Sequence, residues 1–420
     1  MNISVMGTGY VGIVTGTCLA ETGNNVKCID LDPKKVEMIN SGKSPIYEPD
    51  LEELLKKNLG SRLEATLDAD PAIRESEITF ICVGTPSSED GSTDLKYIES
   101  AAGKIGEVLA QKEGKHIVVV KSTVPPGTSE KVAEILKSKG AKVFGVAMNP
   151  EFLREGKAVE DFMAPDRVVL GAEEKWVHEK LEELYSFTDA PKLETNLRTA
   201  EMIKYASNSL LAAKISFANE IGNICKELGI DVYDVMQGVG MDARLSPSFL
   251  NAGIGFGGSC FPKDVNSLIH TAKVRGVEPK LLEAVMKVNE DQPLKLVELA
   301  KNKLGSLSGK KIAVLGLAFK PDTDDMREAP SLRIVPALVK EGAIVKAYDP
   351  EAEENAKPLL GDGPEYPSSA KEAAADAEIV FILTEWKEFE DESLYSGKQV
   401  FDGRKLLKRK SGEKYEGVCW

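Results

Sequence analysis

The first thirty residues, MNISVMGTGYVGIVTGTCLAETGNNVKCID, leave few folds open to this chain. An apolar strand at 2–6 runs into Gly7, Gly9 and Gly12, spaced G-x-G-x-x-G. IVTGTCLAETG reads as a helix ending near Gly23, and NVKCID, 25–30, as a second strand closed by Asp30. That order is a βαβ unit. The glycines permit a tight turn and let the backbone approach a pyrophosphate at the helix N-terminus. An acid ending the second strand can accept hydrogen bonds from a ribose hydroxyl. The bland alternative is a glycine turn beside a surface aspartate, and it does not require all these elements to fall in order. The fingerprint predicts a dinucleotide site. Asp30 would repel a 2′-phosphate, which favours NAD over NADP, while Lys34 and Lys35 soften that preference.

The same pattern continues. Apolar runs at 77–83, 115–123, 142–150 and 167–171 alternate with helical segments. Near-continuous apolar strands imply a sheet covered on both faces, so residues 1–195 are expected to form a doubly wound NAD-binding domain. Residues 196–230 contain no proline and have apolar residues at helical spacing, which predicts one helix of about 50 Å. A second helical run covers 278–303, with a loop punctuated by glycine and proline at 238–262. Strands at 310–315, 343–349, 378–383 and 398–403, with helices at 331–341 and 370–376, predict a second α/β domain. The expected fold is α/β: two Rossmann-like doubly wound domains, 1–195 and 304–420, joined by a central helical region, 196–303, with a long helix.

Composition narrows the function. A chain of 420 residues is too long for one ordinary core. The net charge of −14, with no long basic run, argues against nucleic acid as the main partner. No run of eighteen apolar residues predicts a membrane span, and the first residues read as a strand rather than a signal peptide. The six cysteines are scattered without a C-x-x-C pair, so neither a disulfide framework nor a zinc site is expected, and a reducing cytoplasm fits. Three isolated histidines make a metal centre or a histidine triad improbable.

Several later segments look chemical. VGTP (83–86) and KSTVPPGT (121–128) follow strands, where ligands of such sheets bind. Thr85 and Thr123 either touch ligand there or cap the next turns. GIGFGGSCFPKD, 253–264, places Cys260 behind four glycines that would allow close approach to a ligand, with Lys263 and Asp264 just beyond. A thiolate can add to an aldehyde and yield a thioester after hydride loss, so a prepared cysteine in a nicotinamide protein points past the aldehyde. Lys263 would favour the thiolate if close. The plain alternative is a small buried hydrophobe. In MNPEFLREG, Glu151 and Glu155 are four apart, flanking Arg154, and can share a face of a helical turn. One is a candidate base, against the bland reading of a solvated turn. Lys204 and Asn208 lie one turn apart on the long helix, either facing a site, where they would hold an oxygen as its charge grows, or facing solvent.

Taken together, GTGYVG, VGTP, STVPPGT, NPEFLREG, the Lys204–Asn208 helix, GFGGSCFPKD, GLAFKPDTDDMRE and FDGR resemble the nucleotide-sugar dehydrogenase family over essentially the whole length. The resemblance implies an NAD domain, a central dimerisation region and a C-terminal domain holding much of the nucleotide. It implies a homodimer or higher oligomer that converts UDP-glucose, two NAD and water into UDP-glucuronate and two NADH. It assigns Cys260 as nucleophile, Lys204 and Asn208 as oxygen stabilisers, Asp264 as support for a water or Lys204, and Thr123 and Glu151 to the hydrolytic water. Cofactor contacts are implied at Gly7, Gly9, Tyr10, Val11, Gly12, Asp30, Lys35, Thr85, Thr123, Glu155, Lys263 and Arg327. Nucleotide-sugar contacts are implied at Glu151, Phe152, Leu153, Arg154, Glu155, Lys204, Asn208, Phe249, Asn251, Gly257, Lys320 and Arg404, with Arg244 reaching a neighbouring subunit's site. Members acting on N-acetylmannosamine nucleotides diverge at EFLREG; GDP-mannose members are closer there. Two rivals remain: a two-electron hydroxyacid or 6-phosphogluconate type dehydrogenase, which needs no cysteine, and a non-catalytic nucleotide-binding module. The segment KRKSGEKYEGVCW, 408–420, matches no motif.

Overall fold

The computed structural model describes residues 1–420. It divides into two compact units, Met1–Ser207 and Asn208–Trp420.

The first unit is built on eight strands: β1 (Asn2–Met6), β2 (Asn25–Ile29), β3 (Leu63–Thr66), β4 (Ile78–Ile81), β5 (His116–Val120), β6 (Phe144–Met148), β7 (Val168–Ala172) and β8 (Lys192–Thr195). Their order is β3-β2-β1-β4-β5-β6-β7-β8. The first six follow the 3-2-1-4-5-6 dinucleotide-binding order, with its switch point between β1 and β4. Neighbours are parallel except β6 and β7, which pair antiparallel at the far side of the sheet. The strands read as continuous apolar runs because both faces are covered. Ile78, Phe80, Ile117 and Val119 enter one core, and Ile81, Val118 and Val120 enter the other. Strands β3 (LEAT) and β8 (KLET) are short and half polar, and they escape an apolar-run reading.

The second unit carries a parallel five-stranded sheet: β9 (Lys311–Leu315), β10 (Ile344–Tyr348), β11 (Ile379–Ile382), β12 (Gln399–Asp402) and β13 (Tyr415–Gly417), ordered β10-β9-β11-β12-β13. This is the 2-1-3-4-5 doubly wound order, switching between β9 and β11. One core joins the sheet to the helices beside it. Ala218 and Cys225 of the long helix, and Leu296, Val297 and Ala300 of the helix Lys280–Leu304, pack with Ile312, Val314, Phe381 and Phe401. In packing, therefore, residues 208–303 belong with the second sheet. The long helix, Leu197–Leu228, is a single 32-residue element, about 48 Å, and it runs through the division between units. The helices Val232–Gly240 and Phe261–Val274 flank the loop that carries the cysteine.

Candidate active site

The turn after β1 is shaped by three glycines with different duties. Gly7 has φ +92°, and its amide donates to Ile29 O at 2.8 Å. A Cβ on Gly12 would strike the Gly7 carbonyl, whereas one on Gly9 would meet nothing within 4 Å. Gly9 heads the helix Tyr10–Glu21, which has no side-chain cap and no acid in its first turn. An uncapped, unscreened helix N-terminus beside open space suits a pyrophosphate. Asp30 Oδ2 accepts from Thr8 N at 2.7 Å and Thr8 Oγ1 at 2.5 Å, and Oδ1 accepts from Asp32 N at 3.0 Å. Burial pushes its carboxyl up, but these bonds and the Lys35 charge outweigh that and hold it below the ordinary range. Asp30 is thus an ionised acceptor at the second strand's end, and the residues present fit NAD. Tyr10 and Val11 form the helix's first turn and pack against the sheet core.

Glu48 was missed by sequence reasoning. Buried, it accepts from the Tyr10 hydroxyl, from Gly156 N at 2.8 Å and from Ala158 N at 2.7 Å. One carboxylate so ties the glycine turn to the segment 152–156. No periodicity marks it; only its place between IY and PD hints at a turn.

Thr85 and Thr123 lie in the loops that follow β4 and β5, both half-buried, and Ser122 Oγ ties the two loops by donating to Val83 O at 2.7 Å. The segment around Glu151 departs from expectation. Residues 149–154 have no helical structure, so the four-residue spacing does not put Glu151 and Glu155 on one helical face. Their separation comes from an irregular backbone, which Glu151 itself closes by accepting from Leu153 N at 2.6 Å. Glu151 also forms a buried ion pair with Lys204, Oε1 to Nζ 2.8 Å, both side chains under 7 % exposed. Burial raises the Glu151 carboxyl, but the Lys204 charge and hydrogen bonds reverse this and hold it below the usual carboxylate range. Lys204 also lies over the Phe152 ring at 5.4 Å, and Arg167 stacks there at 3.9 Å. Glu155 lies near Tyr10 and adds to the negative charge around its hydroxyl. Arg154 is exposed and paired with Asp161. Lys121 was also missed, although it directly follows the fully buried β5. Its Nζ donates to Asn149 Oδ1 at 2.9 Å, and burial pulls it down to about 8.

In the second unit, Cys260 stands at the N-terminus of the helix Phe261–Val274, with Pro262, Lys263 and Asp264 in the first turn. Five of the six cysteines are buried, and Cys260 is the exception. A helix N-terminus favours negative charge on a thiol placed there. Asp264 is buried; Oδ2 accepts from Asn208 Nδ2 at 2.6 Å and Oδ1 from Lys263 Nζ at 2.5 Å. The glycines of this loop are also demanded by close protein neighbours. A Cβ at Gly253 would press on Gly403 O, at Gly255 on Asn289 Oδ1, at Gly257 on Glu328 O and at Gly258 on the Phe319 ring. Their missing side chains make room for neighbouring protein, because the loop is wedged against the loops that follow β9 and β12 and against the helix Lys280–Leu304. Phe249 takes φ +64°, unusual for a bulky residue, and meets Phe261 edge-on at 6.2 Å. Asn251 is exposed.

Arg404 is held by carbonyls: Nε donates to Leu383 O at 3.0 Å, Nη1 to Gly255 O at 3.0 Å and Nη2 to Phe319 O at 3.1 Å. Lys320 lies 5.5 Å from the Phe319 ring. Arg327 is exposed and paired with Asp325, while its carbonyl accepts from Gly258 N at 2.8 Å. Arg244 is 87 % exposed and paired with Asp242.

Fold and site define a dinucleotide-dependent oxidoreductase. Three domains described for one family match in order: the NAD binding domain at residues 1–189, the central domain at 198–291 and the UDP binding domain at 313–409. The chain belongs to the UDP-glucose/GDP-mannose dehydrogenase family. It is 48 % identical over 414 residues to the UDP-glucose 6-dehydrogenase TuaD of Bacillus subtilis, covering 96 % of this chain and 89 % of that one. Among solved structures, a UDP-glucose dehydrogenase from the hyperthermophilic archaeon Pyrobaculum islandicum aligns with TM-score 0.96 at 46 % identity, over 100 % of this chain and 97 % of that one. A UDP-D-ManNAc dehydrogenase from Pyrococcus horikoshii aligns with TM-score 0.86 at 30 % identity, over 100 % and 99 %.

Proposed function

We propose that this chain oxidises the C6 alcohol of UDP-glucose to the carboxylate of UDP-glucuronate through a thioester on Cys260. When bound, NAD supplies the hydride acceptor, so that alcohol, water and two NAD become carboxylate, two NADH and three protons. The observation that carries the reading is Cys260, the one cysteine that is not buried, at a helix N-terminus in a member of this family.

The first oxidation removes the hydroxyl proton and a hydride and leaves an aldehyde. The Cys260 thiolate adds to C6, forming a C–S bond, and the resulting oxyanion is held by Lys204 and Asn208, one turn apart on the long helix. Loss of the second hydride leaves the thioester. Water then attacks C6, and the C–S bond breaks with the thiolate as leaving group. Thr123 and Glu151 position that water, with Glu155 a second acid and Asp264 supporting water or Lys204. Because Lys204 holds the Glu151 carboxyl low, Glu151 is ionised throughout and suits orienting water better than storing a proton. Gly7, Gly9, Tyr10, Val11, Gly12, Asp30, Lys35, Thr85, Thr123, Glu155, Lys263 and Arg327 serve NAD. Residues 151–155, Lys204, Asn208, Phe249, Asn251, Gly257, Lys320 and Arg404 serve the nucleotide sugar. The working division is 1–195 for NAD, 196–303 for dimerisation and the cysteine loop, and 304–420 for the nucleotide.

The active species is a homodimer. Leu210, Phe217 and Ile224 repeat every seven residues along the long helix, each more than half exposed, which suits a second copy of the same helix. Arg244, exposed on its loop and paired within this chain with Asp242, is the residue that reaches that copy's site. Scattered thiols and the NAD requirement fit the cytoplasm.

UDP-glucose is favoured because the relatives at 46 to 48 % identity carry that name, against 30 % for the ManNAc enzyme. The test is stoichiometry across UDP-glucose, UDP-galactose, GDP-mannose and UDP-N-acetylmannosamine. Two NADH per UDP-glucose are expected. One NADH per sugar would indicate a two-electron dehydrogenase, none with every sugar a binding module, and preference for another sugar a different specificity.

A further inference from the structure

The segment 415–420 matches no motif, yet it is built into the loops that the proposed reaction uses. Tyr415–Gly417 is the parallel strand β13, paired with Val400–Asp402 of β12. Glu416 is gripped from both long helices, Oε2 by Lys226 Nζ at 2.6 Å and Oε1 by Lys303 Nζ at 2.6 Å, and Lys226 also donates to Trp420 O at 2.9 Å. These bonds fix the segment to the helical frame.

From that frame, three lines reach three carbonyls of the cysteine loop. In the first, Trp420 Nε1 donates to Tyr415 Oη at 3.1 Å, and Tyr415 Oη lies 3.0 Å from Asp402 Oδ2. Asp402 is fully buried. Its Oδ1 accepts from Arg404 N at 2.8 Å and its Oδ2 from Leu407 N at 3.1 Å, which sets the turn that aims Arg404 at Gly255 O. In the second, Trp420 meets Tyr233 edge-on at 5.4 Å, and Tyr233 Oη donates to Ala252 O at 2.7 Å. In the third, Cys419 Sγ lies 3.5 Å from Gln292 Nε2, which donates to Gly253 O at 2.8 Å. Tyr233, Gln292 and Arg404 each hold one carbonyl of the stretch 252–255, and each is held from behind, directly or through Asp402, by the same short segment.

We infer that residues 415–420 are positioning residues for the nucleotide sugar: they fix Arg404 and the 252–255 backbone and thereby set substrate affinity without touching substrate. The inference rests on the proposed role of Arg404 and this loop in sugar-nucleotide binding. A segment that served only the stability of the second sheet would need β13 and the Glu416 ion pairs, but not hydroxyl, indole and thiol groups spent on the holders of the cysteine loop.

The test uses the full chain with three variants: Tyr415→Phe, Trp420→Phe and Arg404→Lys. Tyr415→Phe keeps the ring and removes its hydroxyl, whereas Trp420→Phe removes the indole N–H together with part of the buried ring. KM for UDP-glucose and the Kd for UDP by calorimetry are expected to rise about three- to tenfold in Tyr415→Phe and about two- to fivefold in Trp420→Phe, the equivalent of roughly 0.4–1.4 kcal/mol. KM for NAD should be unchanged, kcat should stay within about twofold, and the melting temperature should stay within a few degrees. Unchanged KM and UDP affinity in both aromatic variants, with Arg404→Lys impaired, would overturn the inference and leave the site reading standing. Unchanged values in Arg404→Lys would instead overturn the site reading.

Discussion

The two sheets of this chain open with the same device and put it to opposite uses. In the first, Gly7 at φ +92° follows β1 and donates to Ile29 O at 2.8 Å; in the second, Gly316 at φ +94° follows β9 and donates to Tyr348 O at 2.8 Å. In both, an acid follows the accepting residue, and the amide after the glycine donates to it: Thr8 N to Asp30 Oδ2 at 2.7 Å, Leu317 N to Asp349 Oδ2 at 2.7 Å. There the likeness ends. Asp30 is half-exposed, and the following helix begins at Tyr10, close enough to present its N-terminus to a phosphate. Asp349 is 1 % exposed and also accepts from Ala318 N, Glu351 N, Ala352 N and Trp386 Nε1. Its helix does not begin until Ser331. Residues 317–330 intervene, so no helix N-terminus directly follows the turn. One supersecondary unit thus makes a cofactor cradle when its acid is left an open side, and a packed structural corner when every acceptor is consumed.

The comparison breaks most visibly at Asp349. Asp349→Ala strands five donors in a buried corner, and a loss of about 5 kcal/mol or more is expected, at 1–3 kcal/mol for each unsatisfied group. Thermal or urea unfolding would show it. A near-neutral change would mean that the corner is not the closed counterpart of the cofactor turn.

The next effect in size lies at Glu151, to which the proposed reaction assigns the hydrolytic water. Glu151→Gln leaves Lys204 buried without its anion, at a cost of about 3–5 kcal/mol. In protein that remains folded, kcat should fall at least a hundredfold, more than the folded fraction explains; activity that merely tracked stability would make Glu151 another Asp349. The pair also carries an acid signature. Because the folded carboxyl is held below its ordinary value, the stabilisation is present at neutral pH and lost as pH falls through that depressed pKa, below the usual glutamate range near 4.5. Glu151→Gln should flatten that acid limb in unfolding measured against pH.

Asp30 should answer in the opposite currency from Asp349. Asp30→Ala is expected to weaken NAD about tenfold, near 1.4 kcal/mol, and to narrow the gap to NADP, with only a small loss of stability because its donors can turn to water. Fluorescence titration of both cofactors checks this. Equal use of NAD and NADP by the unmodified chain would contradict it.

How much of this was legible in sequence follows from how local each feature is. Five apolar residues ending in a spaced glycine triplet announce β1 and its turn, and Asp30 follows from the end of the next strand. The strand β7 was also legible at 167–171, but its antiparallel direction was not, since pairing direction depends on partners distant in sequence, and the polar edge strand β8 carries no apolar run. The helix Phe261–Val274 carried its own signal in Pro262 at its start, obscured by the glycine run before it. The glycines of 253–258 were legible as tight approach, but sequence could not say that the approaching atoms belong to residues 289, 319, 328 and 403. Glu48 and Lys121, and the Lys226 bonds that anchor the 415–420 segment, act across 28 to 194 residues, which no periodicity encodes.

The claim on which the proposed chemistry turns is that Cys260 carries the sugar through its second oxidation. The direct measurement is UDP-glucose turnover by Cys260→Ser, with intact-mass analysis of the protein during the reaction. The reading predicts that steady-state NADH production stops while NAD binding is retained. Any acyl adduct on the peptide containing residue 260 should persist, because an oxygen ester hydrolyses more slowly than the thioester. Full production of two NADH per UDP-glucose by that variant would contradict it and leave Cys260 as an incidental side chain at the head of its helix.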